Sequence, residues 1–293
     1  MKVIRRDRLI YSMGPGHKPV LYIDPGETIL VETEDCFGHQ VVSSGYSLDD
    51  GFNHDYLNPA TGTIFINGVE PGDVLKVYID KISLNSRGVV VAYRGWGPLG
   101  NRIEGTHVRV VEVSENHALI NGRKIPLNPM IGVIGVAPAE GSVPNSTPGP
   151  HGGNLDTKEI TEGAILYLPV FMRGAHLALG DLHAAMGDGE VCGTGVEIRG
   201  AVRMQVSIAN NYTFKSPVIE SKDAFFFLGS SPDIEAAVKI ATDSAVRYIS
   251  EQNNISWIDG YILASLRCNL MFSQIVNPWK TVKMRVEKEL LHL

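Results

Sequence analysis

The chain has 293 residues, of which 44% are hydrophobic and 20% are charged, and its formal net charge is −6. This length and composition allow a sizeable buried core. The negative charge and the scattered Lys and Arg residues exclude a basic surface of the kind that binds nucleic acid.

The first twelve residues, MKVIRRDRLIYS, carry positive charge, but no apolar run of signal-peptide length follows them, and no apolar run approaches a membrane span. We therefore expect a cytoplasmic protein that makes no membrane contact. The cysteines, Cys36, Cys192 and Cys268, are odd in number and lack a short repeated spacing, which predicts reduced thiols rather than a disulfide framework.

Residues 20–143 read as short β-branched runs separated by turn residues, a pattern typical of antiparallel β structure. After the turn at 71–73, Leu75, Val77 and Ile79 alternate with polar or amphipathic residues. This alternation predicts a strand with one buried face.

Residues 137–158 are so rich in Pro, Gly, Ser and Asn that they predict a long loop without regular structure, and loops of this length are often functional. Strand-like runs follow it. A helix is then predicted from Ser231 as the N-cap and Pro232 as the first helical residue, and a second helix over residues 256–276. The stretch TVKMRVEKEL predicts a closing strand.

The predicted fold class is therefore mainly β (α+β), an antiparallel β-sandwich or barrel-like core with two C-terminal helices. We expect one domain over residues 1–293, either as a single unit or as two intimately packed parts, 1–145 and 146–293.

The segment GDLHAAMGDGEVCG, residues 180–193, concentrates ionisable side chains among small ones. As a hairpin with Gly187-Asp188 as a two-residue turn, it would place His183 opposite Cys192. Four side chains would then share one face: Asp181, His183, Glu190 and Cys192.

Converging carboxylates and an imidazole can hold a divalent cation or an activated water. The inference depends on the turn, because one extra loop residue would send Glu190 and Cys192 to the opposite face from His183. In the simpler alternative, Asp188 only makes the turn, and Asp181 and Glu190 are solvated strand ends.

A second cluster lies in GPHGGNLD, where His151, Asn154 and Asp156 flank Gly152 and Gly153. Bare glycine backbone can approach a small ligand and donate N–H groups to a developing oxyanion. Asn and Asp in such loops also act simply as turn formers.

Nucleophilic catalysis has one candidate in the sequence. There is no GxSxG motif, and Arg267 replaces the Lys of an SxxK motif. Cys192 beside His183 is the alternative nucleophile. Cys36 is disfavoured because the adjacent Asp35 raises the pKa of a thiol.

The stretch from GPHGGNLD to CGTGVEI, together with NPATGTIFINGVEPGDVLKVYID and ETEDCFGHQ, resembles the acetamidase/formamidase family over nearly the whole chain. The resemblance implies a β-rich hydrolase that converts a short-chain amide to a carboxylate and ammonia. It also implies a bound divalent metal and a homodimer or higher homo-oligomer.

The family motifs fall on Asn154 and Asp156, on Asp181 and His183, and on Asp188 and Glu190. At Met186 this chain departs from the Gln of many relatives, which bears on the choice of substrate. From the resemblance we expect a Zn or Ca ion held by some of these residues: Asp35, Asp156, Asp181 and His183.

The expected mechanism is amide hydrolysis by metal-activated water. Glu190 is its general base, Asp188 belongs to the catalytic residues, and water is the nucleophile. His151, or N–H groups at Gly152 and Gly153, would stabilise the oxyanion, while Asn154 and Met186 would contact the substrate. Two alternatives stay open: a cysteine-nucleophile amidase that uses Cys192, and a non-catalytic homologue that binds a small molecule.

Overall fold

A computed structural model describes residues 1–291 of the chain, so the last two residues of the expected 1–293 domain lie outside the described residues. The division into one or two parts stays a prediction.

The described residues form twenty β-strands and two α-helices, with three short 3₁₀ turns. The strands are β1 (Lys2–Ile4), β2 (Leu9–Ile10), β3 (Ser12–Met13), β4 (Leu21–Ile23), β5 (Thr28–Thr33), β6 (Ala60–Ile66), β7 (Val74–Tyr93), β8 (Thr106–Val113), β9 (His117–Ile120), β10 (Arg123–Pro126), β11 (Met130–Gly135), β12 (Val143–Pro144), β13 (Gly152–Asn154), β14 (Ile165–Pro169), β15 (Leu177–His183), β16 (Glu197–Ile208), β17 (Val218–Glu220), β18 (Ala224–Ser231), β19 (Asn269–Gln274) and β20 (Lys280–Glu287). The helices are α1 (Ile234–Asn253) and α2 (Trp257–Arg267).

Eighteen of these strands belong to one hydrogen-bonded sheet, and β3 and β12 pair separately. The long strand β7 is central, because it pairs with β8, β14 and β16, and β16 in turn pairs with β5 and β15. Apart from β1–β5 and β4–β6, the pairings are antiparallel. The mainly β fold with two C-terminal helices is confirmed.

The predicted alternation in β7 is also confirmed. Leu75, Val77 and Ile79 are fully buried, whereas Tyr78 between them is exposed. The buried side chains join the main apolar core. This alternation follows from the two-residue period of a strand.

Helix α1 begins two residues later than the sequence predicts. Asp233 is its N-cap, and the Asp233 carboxylate accepts a hydrogen bond from the N–H of Ala236. Ser231 is not the cap because it still belongs to β18, where it pairs with Lys280. The alanines on one face of α1 pack in a second core with side chains of β18 and β20.

The second helix begins after Ser256, as predicted, but it ends at Arg267 rather than at residue 276. Residues from Asn269 onward form β19, which pairs with β20. The apolar run therefore covers a helix and a strand, and pairing with a distant strand overrides the helical period in its second half.

The predicted loop 137–158 is irregular over most of its length, but the expectation of no regular element was wrong at two places. Val143–Pro144 pairs with β3, and Gly152–Asn154 pairs with β11. The second pairing places the Gly-rich segment against the core, where all three of its residues are buried.

All three cysteines are free thiols, as the sequence predicts. Over residues 1–291, neither helix has the length and apolar content that crossing a bilayer requires.

Replacement of Ile79 by Ala tests the assignment of faces in β7. Because Ile79 is fully buried, we expect a loss of about 2–5 kcal/mol in the free energy of unfolding. The matched change Tyr78→Ala, on the exposed face, should cost roughly 1 kcal/mol or less. Urea unfolding of both variants gives the comparison, and equal losses would contradict the assignment.

Candidate functional site

The predicted two-residue hairpin was wrong. Strands β15 and β16 pair so that His183 lies opposite Glu197, not opposite Cys192. The ladder ends in reciprocal backbone hydrogen bonds between 184–185 and Val196, and the residues between form a loop.

This loop is held by a strand that lies far away in the sequence. The N–H of Gly189 donates to the carbonyl of Ser273 at 2.8 Å, and the carbonyl of Gly189 accepts from the N–H of Ile275 at 3.2 Å. The backbone of Glu190, the next residue, is left-handed with φ 49°. Attachment to the end of β19 therefore sets the orientation of Glu190.

Five buried ionisable side chains meet beside this loop, and we call them the central cluster: Asp156, Asp181, His183, Glu190 and Glu197. The Nε2 atom of His183 lies 3.2 Å from a Glu197 oxygen, 3.4 Å from an Asp181 oxygen and 3.8 Å from an Asp156 oxygen. The ligand atoms of Asp156, His183 and Glu190 lie within 4.8 Å of one another. The structure thus brings together three of the four predicted metal ligands and the predicted base.

Two glycines make room for the cluster. A Cβ atom on Gly132, in β11, would lie 2.5 Å from an Asp156 oxygen and 2.7 Å from an Asp181 oxygen. A Cβ atom on Gly195 would lie 2.7 Å from Nδ1 of His183. Any larger residue at these positions would displace the ionisable groups.

Burial dominates the electrostatics of the carboxylates. Burial, followed by the charge of Asp181, raises the pKa of Asp156 to about 7. Burial also raises the pKa of Glu197 to about 8 and, with Asp156, raises the pKa of Glu190 well above its usual value. These carboxylates therefore resist sharing the site as anions.

For the imidazole, burial and the neighbouring charges act on the pKa in opposite directions. Burial alone lowers the pKa of His183, but the nearby Glu197 and Asp181 carboxylates outweigh it, so this pKa lies well above its usual value. His183 supplies at most one positive charge against four carboxylates. A cation is the partner that would let more of them ionise.

The cluster also has unused hydrogen-bonding capacity. Within residues 1–291, four of its buried atoms make no hydrogen bond: Asp156 Oδ1, Asp181 Oδ1, His183 Nδ1 and Glu197 Oε2. The three oxygens all face the single Nε2 atom of His183, at 3.2 to 3.8 Å. Buried polar atoms are normally satisfied, and one nitrogen cannot satisfy three oxygens, so the arrangement indicates a further partner. Carboxylates with an imidazole fit a divalent metal ion.

Asp35, the fourth predicted ligand, lies next to the cluster in a separate group with Glu34 and His39. One oxygen of Asp35 accepts hydrogen bonds from the N–H groups of Phe37 and His39, each at 3.0 Å. Its role as a ligand stays a prediction.

Cys36 connects the two groups, because its sulfur lies within 4.8 Å of ligand atoms of Asp181 and Glu197. Burial, followed by the charges of Glu197 and Asp181, raises the pKa of the Cys36 thiol well above its usual value. This agrees with the low reactivity expected from the sequence.

The side-chain amide of Asn277 connects the Gly-rich segment, residues 149–156, to the central cluster. The Nδ2 group of Asn277 donates to Asp156 at 2.6 Å and to the carbonyl of Asn154 at 3.1 Å. Nε2 of His151 is buried without a hydrogen-bond partner in the described part of the chain, and burial lowers the pKa of His151 to about 4. The N–H of Gly152 is already bonded to the carbonyl of Gly149.

Asp188 takes part in an ion-pair network outside the cluster. Its two oxygens bind Lys158 at 2.8 Å and Lys283 at 2.6 Å, and the fully buried Lys283 also binds Glu159 at 2.6 Å. The network ties the loop to β20. The catalytic role predicted for Asp188 stays a prediction, while the contacts point to an anchoring one.

A largely apolar pocket of about 470 Å³ opens beside the cluster. Glu190, Met186, Cys192 and Asp188 line it. Its apolar walls are Val90, Ile120, Ile125, Pro126, Val191 and Val196. Glu190 is therefore shared by the pocket and the central cluster.

Sequence reasoning missed Glu197, Asn277 and the two spacer glycines. Glu197 carried a usable signal, since an acidic residue between Val196 and Ile198 interrupts an apolar strand. Asn277 carried none, because only the tertiary fold brings it 2.6 Å from Asp156.

The chain matches the family model described as the acetamidase/formamidase family, over residues 13–148 and 142–278. A solved acetamidase of Bacillus halodurans is 36% identical, with 98% of this chain and 97% of that chain covered and a TM-score of 0.95. A solved acetamidase/formamidase homologue of Thermoanaerobacter tengcongensis is 40% identical, with 99% and 96% covered and a TM-score of 0.95.

Among curated relatives, a formamidase homologue of Schizosaccharomyces pombe is 29% identical over 265 residues. The match covers 67% of this chain and 64% of the relative, so the chain spans less than two thirds of that protein.

Replacement of Gly132 by Ala tests the crowding in the cluster. The added methyl group must displace Asp156 or Asp181, and overpacking of this kind costs about 1–3 kcal/mol of unfolding free energy. The control Gly16→Ala meets no atom within 4 Å and should change stability by about 0.5 kcal/mol or less. Chemical denaturation of both variants measures the difference, and a neutral Gly132 variant would show that the space is not needed.

Replacement of Asp188 by Asn tests the anchoring role of this side chain. Because Lys283 and Lys158 lose a charged partner, we expect a loss of about 1.5–3 kcal/mol in stability. The exposed pair of Asp243 and Arg247 supplies the control, and Asp243→Asn should cost about 0.5 kcal/mol or less. Unchanged thermal stability in the Asp188 variant would argue against the anchoring role.

Proposed function

Since the chain belongs to the acetamidase/formamidase family, we propose that it hydrolyses a small amide to a carboxylate and ammonia. The observation that carries the proposal is the position of Glu190, which belongs both to the buried ionisable cluster and to the lining of the pocket. A substrate in the pocket therefore reaches a proton-transferring group directly.

Amide hydrolysis makes three demands on such a site. The resonance-stabilised carbonyl has to be polarised, a nucleophile has to be deprotonated, and the departing nitrogen has to be protonated. Each demand is assigned below to residues of the cluster, the pocket or the Gly-rich segment.

We assign a divalent metal to the cluster, held by Asp156, Asp181 and His183, with Glu197 beside His183. The four unpartnered buried atoms support this assignment. The imidazole favours zinc over calcium, because calcium sites in proteins are built from oxygen ligands. A bound ion of this kind supplies positive charge that polarises a carbonyl and acidifies water.

Glu190 is the general base and then the general acid. Burial and the charge of Asp156 hold the pKa of Glu190 well above its usual value. A carboxylate with a raised pKa is a stronger base, and the positive charge of a metal in the cluster would favour its ionised form. The proton taken from water is then delivered to the leaving nitrogen. Because Glu190 lines the pocket, the same carboxyl group can take the proton from water and give it to the substrate nitrogen.

His151 is assigned to the carbonyl oxygen. With its pKa lowered to about 4, the imidazole is neutral near pH 7 and carries one N–H, and its Nε2 atom has no partner in residues 1–291. The N–H of Gly152 is bonded to the carbonyl of Gly149, so of His151 and the N–H groups of Gly152 and Gly153 we favour His151 for this role.

The rival mechanism with Cys192 as nucleophile lacks its base. Cys192 lines the pocket, but its sulfur lies 3.5 Å from the carbonyl oxygen of Thr194, and His183 faces Glu197 instead. A thiol nucleophile needs a neighbouring base or a stabilised thiolate. We therefore favour water as the nucleophile.

The test is ammonia release from formamide, acetamide and longer amides by Glu190→Gln and Cys192→Ala variants. Loss of general acid–base catalysis should lower the turnover of Glu190→Gln by about 10²- to 10⁴-fold. Cys192→Ala should keep wild-type turnover, and so should the exposed control Glu140→Gln.

Metal content is measured on the same samples. An active Glu190→Gln enzyme with unchanged metal would remove Glu190 from the mechanism, and an inactive Cys192→Ala enzyme would move the nucleophile to sulfur. A wild-type protein that releases no ammonia from any of these amides would favour a binding protein.

A further inference from the structure

Gln274 is a fully buried polar residue at the end of β19, where the chain turns towards β20. All the hydrogen-bonding positions of its side-chain amide are occupied. Its Oε1 atom accepts from the N–H groups of Val276 at 3.0 Å and Asn277 at 2.9 Å. Its Nε2 group donates to the carbonyl of Trp279 at 2.7 Å and to Oγ1 of Thr281 at 3.1 Å. One side chain therefore holds the connection between the two strands from both ends.

A primary amide is the group that can make this set of bonds. It carries two N–H donors and an oxygen with two lone pairs, whereas a carboxylate lacks the donors and an ammonium group lacks the acceptor. Asparagine carries the same amide on a side chain that is one methylene group shorter, so it would not span the same contacts. The chemistry and the length of Gln274 both match the connection that it holds.

The connection held by this amide carries Asn277, whose own side chain reaches the central cluster. Nδ2 of Asn277 donates to Asp156 at 2.6 Å and to the carbonyl of Asn154 at 3.1 Å. Because Gln274 binds the backbone N–H of Asn277, it limits the directions in which the Asn277 side chain can point. Gln274 is thus linked to Asp156 through one intervening side chain.

The backbone of Gln274 forms the second link to the cluster. It makes an isolated parallel bridge with Gly189. The N–H of Gly189 donates to the carbonyl of Ser273 at 2.8 Å, and the N–H of Ile275 donates to the carbonyl of Gly189 at 3.2 Å. Gly189 and Glu190 are both left-handed, with φ of 93° and 49°, so the buried carboxyl group of Glu190 is directed from this bridge. A shift at Gln274 would therefore move Glu190.

The two links end on groups that lie together. The ligand atoms of Asp156 and Glu190 lie within 4.8 Å of each other, although the two residues belong to different loops. A misplacement of about 1 Å at a catalytic group can lower the rate of an enzyme by about 10²-fold. Asp188, bound to Lys283 at 2.6 Å, also anchors the loop of Glu190, so a change at Gln274 should shift Glu190 rather than release it.

We propose that Gln274 is a positioning residue for the reaction: its backbone holds the loop of Glu190, and its side-chain amide holds Asp156 through Asn277. The relative placement of the general base and of a metal-binding carboxylate then depends on one buried residue outside the cluster. The inference rests on the proposed roles of Glu190 and Asp156, and it extends them by adding the residue that sets their separation.

Replacement of Gln274 by Met keeps a long, flexible side chain and removes the whole amide. We expect the kcat for the best of the small amides to fall by about 10- to 100-fold, because Glu190 and Asp156 lose their relative placement. KM should change by about threefold or less, since the apolar walls of the pocket stay in place. Gln274→Asn, with an amide that is too short, serves as the second variant and should show the same split.

Tyr167→Phe is the matched control for a general loss of stability. It removes a 2.6 Å hydrogen bond from a buried hydroxyl to Glu220, in the second apolar core rather than beside the central cluster. This variant should unfold at a lower denaturant concentration than the wild type, as Gln274→Met does, and still keep kcat within about twofold of wild type.

The double variant Gln274→Met/Asn277→Ala tests the route through Asn277. Because both residues act on Asp156 along one path, the combined loss in kcat should be smaller than the product of the two single losses by at least about fivefold. Losses that simply multiply would show that Gln274 does not act through Asn277, and they would overturn the proposal.

Hydrogen exchange gives a readout that does not depend on amide turnover. In Gln274→Met, the amides of Gly189 and Asn277 should exchange at least about tenfold faster than in the wild type, while β18 and β20 keep their protection. Wild-type kcat in a folded Gln274→Met protein, or unchanged exchange at both amides, would overturn the proposal. The expected exchange pattern in a protein that releases no ammonia would support the positioning role of Gln274 and contradict the proposed function alone.

Discussion

The candidate site depends on one constraint: the fold has to hold four buried carboxyl groups around the imidazole of His183. Two like charges about 4 Å apart repel each other by roughly 4 kcal/mol at an effective dielectric constant of 20. Asp181 and His183 lie on β15, Glu197 on β16, and Gly132 of β11 leaves the space for them. The cluster persists because the surrounding sheet is stable enough to impose a local geometry that the charges oppose.

The backbone reflects the same constraint. Asp156, Asp181 and Glu190 all adopt left-handed conformations, with φ of 38°, 54° and 49°. Such conformations cost about 1–2 kcal/mol for a residue other than glycine. Three of them in one cluster mean that the chain is bent to aim these side chains inward. The Asn277 amide then holds Asp156 in place. In a site of this kind, rigidity comes from the scaffold rather than from attraction between the functional groups.

Local sequence patterns predicted the structure well where the hydrogen bonds are local or regular. They failed where contacts with a segment distant in the sequence determine the conformation. The alternation of Ile79 and Tyr78 follows from strand geometry alone, and it was confirmed. The hairpin register was wrong because the loop around Gly189 bonds to Ser273 and Ile275, contacts that no spacing reveals. The family resemblance correctly pointed to Asp156, Asp181 and His183 as residues that lie together. Glu197 could not be predicted without the observed pairing of β15 with β16, which places it opposite His183.

The hydrogen bond from Asn277 to Asp156 also has a consequence for synthesis. A ribosome adds about 5–20 residues per second from the N-terminus, and domains fold as their segments emerge. The residues of β7 and β16 are synthesised before Asn277 and before the segment that holds Gly189. The pocket lining, within residues 90–196, is also made earlier, so the contacts that fix Asp156 and Glu190 become possible only after residues 273–277 have been added.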